Sequence, residues 1–106
     1  MKQLRSITSA AKRQITVKCL QTLRSMRSLS SRPAIDAVSI CVDNRSHAEI
    51  TTYALYAGKH VLCEKPMALT LDDCKAMIDA AAKAKTKMMV GQICRYTPGF
   101  VAAKNL

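Results

Sequence analysis

Ile35-Asp36-Ala37-Val38-Ser39-Ile40-Cys41-Val42 is a nearly continuous apolar run with β-branched residues, the pattern of a strand covered on both faces. The polar turn Asp43-Asn44-Arg45 follows, and Ser46 with Glu49 reads as an S-x-x-E capping box that starts a helix. Ile50, Tyr53, Ala54 and Ala57 then recur at helical spacing, and Gly58 stands where a left-handed C-terminal cap is needed. His60 to Cys63 form the next strand.

The unit repeats in kind. Thr70 and Asp73 make a second box, and Leu71, Cys74, Ile78 and Ala81 form the apolar stripe of the helix behind it. Asp72 and Asp73 sit in its first turn and Lys83, Lys85 and Lys87 near its end, as the helix dipole favours. Met88 to Cys94 read as a third strand, and Thr97-Pro98 as the cap and first position of a further helix. Strand, helix, strand, helix, strand with short connections implies crossovers and a parallel sheet. The expected fold class is therefore α/β, a partial Rossmann-like, doubly wound parallel sheet of three strands with crossover helices. The core is thin, and the first strand is expected to lack a neighbour on one edge, which invites aggregation or a partner.

Ahead of Ile35 the pattern weakens. Gln14 to Leu20 alternate enough for a weak strand, while Leu20 to Leu29 fit a helix; both alternatives stay open. Charge sharpens the boundary near Pro33. The net charge is +10 in 106 residues, but residues 1–34 hold eight Lys/Arg and no acid, whereas the remainder has nine Lys/Arg against seven Asp/Glu. Basicity thus says nothing about residues 35–106. The division expected is a basic leader over 1–33 and a nucleotide-binding part over 34–106.

One domain is all that this length allows, and 49% apolar residues is a globular composition. No apolar run reaches membrane-spanning length. The five cysteines, at 19, 41, 63, 74 and 94, match no metal or C-x-x-C spacing, so no metal site is expected. They read as reduced thiols in a cytoplasmic protein, packed as small hydrophobes.

The chemistry-bearing stretch is Gly58-Lys59-His60-Val61-Leu62-Cys63-Glu64-Lys65-Pro66, where an apolar strand ends in a charged pair locked by proline. In open parallel sheets ligands bind beyond the carboxyl ends of the strands, which is where Glu64 and Lys65 fall. Pro66 cannot donate to a sheet and ends the strand there. Taken with Ile35 to Ile40, Asn44 and His47, and with Val90-Gly91 followed by Arg95, Tyr96 and Pro98, this run closely resembles the glucose-fructose oxidoreductase and inositol dehydrogenase (Gfo/Idh/MocA) family over about residues 34–106.

The resemblance implies an NAD(P)-dependent oxidoreductase that moves a hydride from a CH–OH carbon of a sugar, polyol or related alcohol. On the family pattern Asn44 and His47 border the cofactor, Glu64 lies near the nicotinamide ribose, Lys65 near the reacting hydroxyl as the catalytic residue, and Arg95 at the rim of the crevice. Read without the family, Asn44 is a turn residue, His47 a donor near a helix cap, and Glu64–Lys65 a solvated ion pair.

Departures from the pattern count as well. The family often has Thr-Pro-Asn where this chain has Val42-Asp43-Asn44. Residues 1–34 contain no glycine, so the first glycine-rich βαβ unit and its phosphate loop are missing, as is the acid that would hold an adenosine ribose. The family's substrate domain would lie beyond Leu106. Residues 34–106 are accordingly expected to be a fragment of such an oxidoreductase, inactive alone and with little dinucleotide affinity, and residues 1–33 to be partly out of frame.

The alternative is a small basic binding protein whose arm contacts nucleic acid or an acidic partner. It ranks lower, since the arm has no aromatic residue to stack on bases. An organelle-targeting peptide is a third reading of the arm. The partners expected are a small sugar or polyol, neither membrane nor nucleic acid, with a homo-oligomer permitted.

Overall fold

The computed structural model describes residues 26–28 and 31–106. The alternatives for residues 14–20 and the basic arm lie outside the described residues, and of the span 20–29 only 26–28 are described, as helix. The elements are β1 (Ala37–Ile40), a 3-10 turn (Asn44–Ser46), α1 (His47–Tyr56), β2 (His60–Cys63), α2 (Leu71–Ala84), β3 (Met88–Val90), a second 3-10 turn (Ile93–Tyr96) and α3 (Pro98–Lys104).

The three strands form one parallel sheet in the order β1-β2-β3. Ala37 pairs with His60 and Ile40 with Cys63, while Val61 pairs with Met88 and Cys63 with Val90. The fold class expected from the sequence is the one observed, and among the described residues β1 has a neighbour on one side only.

Strand alternation sends Val38, Ile40, Val61 and Cys63 to one face. There they join Ile50, Ala54 and Leu55 of α1 and Met77 and Ala80 of α2 in a single buried cluster, with Met26 and Ile35 packed in from the preceding segment. Both crossover helices therefore cover the same face, and α1 packs chiefly on α2 and the strands. Burying each large side chain here stabilises the fold by roughly 1.5–3 kcal/mol. Tyr53 lies at the edge of this cluster, with the Arg27 guanidinium 5.7 Å from its ring centroid.

Two helix signals act as read. Thr70 Oγ1 accepts from Asp73 N at 3.1 Å and donates to Asp73 Oδ2 at 2.8 Å, closing the start of α2. Gly58 closes α1 at φ +76°, where a side chain would be strained.

Five local expectations are corrected. Ser46 is not the cap of α1: it already has helical angles and makes no capping bond. The cap belongs to Asp43, whose Oδ1 accepts from Arg45 N at 3.0 Å and whose Oδ2 accepts from Ser46 Oγ at 2.7 Å, so that the 3-10 turn runs straight into α1. Ala57 lies outside the buried side of α1, which adds His47, Thr51 and Leu55 instead.

On α2 the buried residues are Met77 and Ala80, whereas Leu71 and Ile78 are 80% and 56% exposed. The alanines allow close approach to α1, and that packing selects the stripe. Both outer strands are shorter than read. β1 is confined to Ala37–Ile40, and β3 stops at Val90 because Gln92 N turns back to Val90 O and Ile93 N to Gly91 O. Thr97 precedes α3 with Pro98 in its first turn, but its hydroxyl makes no capping bond.

Lys59 is buried and carries a cation into the fold. Its Nζ donates to Ile35 O at 2.8 Å and Arg32 O at 3.1 Å, fixing the chain where it enters β1. Burial, the largest cause, pushes the Cys63 thiol up against an opposing contact with Thr51, with the nearby Glu64 carboxylate adding to the rise, so it stays neutral within the cluster. The other described cysteines, 41, 74 and 94, are also free. No helix among the described residues is long and apolar enough to cross a membrane.

Ile50→Ala is expected to cost about 2–5 kcal/mol in thermal or denaturant unfolding, whereas Leu71→Ala should stay within about 0.5 kcal/mol of the parent. The Ser46 hydroxyl bond, chiefly, holds the Asp43 carboxyl below its ordinary value of 3.8. A carboxyl lowered on folding stabilises above its unfolded value and loses that contribution as pH falls through the folded one. The stability difference between parent and Asp43→Ala should therefore be constant at neutral pH and shrink to a smaller constant below the lowered value, read from denaturant midpoints across an acid series.

Candidate functional site

A parallel sheet presents the carboxyl ends of all its strands at one edge, and here that edge gathers the segments singled out from the sequence. Asn44 opens the turn after β1, Glu64 and Lys65 follow β2, and Gly91 to Arg95 follow β3. The last ladder bond at this edge on the β1 side runs from Glu64 N to Ile40 O at 3.0 Å, and on the β3 side Gly91 N donates to Cys63 O at 2.7 Å. Past these bonds the chain is released from the sheet, and the side chains there are available for a ligand.

Glu64 lies across the end of β3. A Cβ on Gly91 would stand 3.3 Å from Glu64 Oε2 and 3.4 Å from Oε1, so the carboxylate occupies the space that glycine leaves open. A side chain at 91 would require the carboxylate to give way by a few tenths of an ångström. Val90-Gly91 belongs to the family pattern, but the physical signal, an absent side chain facing a carboxylate, depends on the strand register.

Lys65 is exposed, and its backbone N–H lies 3.4 Å from Glu64 Oε2. Among the described residues its ammonium has no partner. The Asn44 side chain and the Arg95 guanidinium are likewise exposed and without a partner among the described residues, and Arg95 stands on the 3-10 turn after β3. No described contact joins Arg95 to Glu64 or Lys65.

His47 is placed differently from the others. It is 1% exposed, with Nδ1 2.6 Å from Pro66 O and Nε2 3.2 Å from Val42 O. The structure thus joins the turn after β1 to the Glu64-Lys65-Pro66 tip through this ring. Asp43, where the family pattern often has proline, restrains the same turn by its two accepted hydrogen bonds instead of by a ring.

The edge fits the nicotinamide end of a dinucleotide. It combines a carboxylate able to accept from ribose hydroxyls, a cation free to approach a substrate oxygen, and a glycine gap between strand ends. The pyrophosphate needs a glycine-rich turn at a helix start, and none of the described glycines, 58, 91 and 99, supplies one.

Residues 3–92 match the model of the oxidoreductase family with an NAD-binding Rossmann fold, Gfo/Idh/MocA, a span that runs through the leading segment as well. Inositol 2-dehydrogenase of Salmonella paratyphi B is 40% identical over 73 residues, which make up 68% of this chain and 22% of that protein. A crystal structure of an NAD-binding protein from Listeria innocua superposes with a TM-score of 0.71 at 38% identity, covering 76% of this chain and 24% of that one. A levoglucosan dehydrogenase solved in complex with NADH and levoglucosan gives a TM-score of 0.68 at 43% identity, covering 74% and 21%. The chain spans about a fifth of the length of the curated relatives it matches. Parallel strands ending in Glu64-Lys65-Pro66, and a family match over most of the sequence, establish that this chain belongs to the Gfo/Idh/MocA oxidoreductases with their NAD-binding Rossmann fold.

Proposed function

We propose that residues 34–106 form the nicotinamide-side wall of an NAD(P)-dependent oxidoreductase acting on a hydroxyl-bearing carbon of a sugar or polyol. The observation that carries this reading is the exposed ammonium of Lys65 at the carboxyl edge, beside a Glu64 carboxylate seated over Gly91. The relatives named for inositol and levoglucosan support the substrate class. The nicotinamide, when bound, supplies the hydride acceptor, and the protein orients it.

Glu64 accepts hydrogen bonds from the nicotinamide ribose, and Asn44 borders the same end from the turn after β1. His47 borders it from beneath that turn. Lys65 Nζ hydrogen-bonds the substrate oxygen and offsets the negative charge that develops as the hydroxyl proton leaves. Arg95 closes the rim from the β3 side. The free thiols of the described cysteines support a cytoplasmic setting, and the β1 edge, which has no neighbour among the described residues, supports self-association.

NADH titrated to millimolar concentration into the nitrogen-15-labelled chain should move amide resonances clustered at Asn44, Glu64, Lys65, Gly91 and Arg95. Shifts confined to the basic leading residues would reject the reading in favour of simple phosphate attraction. In a chimera that carries residues 34–106 in place of the matching segment of the inositol dehydrogenase, Lys65→Ala should lower kcat by about 10²–10⁴-fold and leave the dissociation constant for NADH nearly unchanged. An unaltered kcat removes Lys65 from the chemistry.

A further inference from the structure

We infer that His47 is a positioning residue: by holding Pro66 O and Val42 O on one buried ring, it pins the backbone on the far side of Lys65. The near side is already fixed, because Glu64 N donates to Ile40 O at 3.0 Å in the last ladder bond between β1 and β2. Beyond that bond the two chains separate, Val42 entering the Asp43-capped turn and Pro66 leaving towards α2. His47 rejoins them across 5 and 19 residues of sequence.

Both ring nitrogens face carbonyl oxygens, and the shorter contact, 2.6 Å, is that of Nδ1 with Pro66 O. At 1% exposure water does not reach the ring, so an apolar residue here would leave the Pro66 carbonyl without the donor it has. Lys65 thus has restrained backbone before and after it and an unrestrained side chain, an arrangement that sets where the ammonium starts while leaving it free to reach. The ring also couples the two segments that border the proposed cofactor: a shift of the Asn44 turn is passed to Lys65 through one side chain.

The catalytic meaning of this pinning rests on the oxidoreductase reading above; the pinning itself does not, and the experiment separates the two. In the full 106-residue chain, His47→Asn keeps an N–H near the position of Nδ1 and His47→Gln moves it to that of Nε2, so both retain a polar amide while only the first can serve Pro66 O. Nitrogen-15 relaxation without nucleotide should give order parameters near about 0.85 at Lys65 and Met67 in the parent and in His47→Asn, and below about 0.6 in His47→Gln. Val61 and Met89, inside the sheet, should be unchanged in all three. Equal values at Lys65 and Met67 in parent and His47→Gln overturn the inference, as does loosening in His47→Asn. An equal fall at Val61 and Met89 overturns it too, since it would mark a general loss of packing. If the expected pattern appears but NADH moves no resonance at the edge, the pinning stands and the cofactor reading fails.

Discussion

Every strand of a parallel sheet must be reached by a connection that travels back the length of the sheet. In this chain that requirement places α1 and α2 over one face and brings the ends of β1, β2 and β3 to a common edge. The consequences separate along the strands. Residues within the ladder, such as Val38, Val61 and Cys63, are committed to the core, and residues just past it are the first that can meet a ligand. Glu64 sits on that dividing line, its amide still in the ladder and its carboxylate already outside it.

Two buried basic side chains serve the same physical purpose at opposite ends of β1. Lys59 gathers Arg32 O and Ile35 O where the chain enters the strand, and His47 gathers Val42 O and Pro66 O beyond the point where it leaves. Both sites lie outside the regular ladder, where a carbonyl has no partner strand to supply its donor. A strand of four residues is thereby held at each end by side chains from the elements that follow it.

Much of this was legible in the sequence because the signals were local. Gly58 needs a positive φ, Thr70 and Asp73 lie within one turn of each other, and His60–Cys63 is bounded by a glycine turn and a proline, so each was read correctly from neighbours alone. The misreadings arose where a choice among local options is made by distant parts. Ser46 had two possible uses, and Asp43, three residues away, took its hydroxyl. α2 offers two apolar stripes of comparable spacing, and only contact with α1 favours Met77 and Ala80 over Leu71 and Ile78. At the edge, the family pattern singled out Glu64 and Lys65, but neither the gap at Gly91 nor the carbonyl contacts of His47 can be read from spacing, since both depend on strands brought together across the sheet.

The burial of Lys59 divides the most recognisable run of the chain. Its first part, Gly58-Lys59-His60, is architecture: a helix stop, an interior cation on two carbonyls, and a ring whose Nδ1 accepts from Lys87 N. Its last part, Glu64-Lys65-Pro66, lies at the rim, half-buried on either side of an exposed Lys65. One short motif therefore joins an interior half to a rim half, and a protein could keep the first, be recognised by it, and still differ at the second.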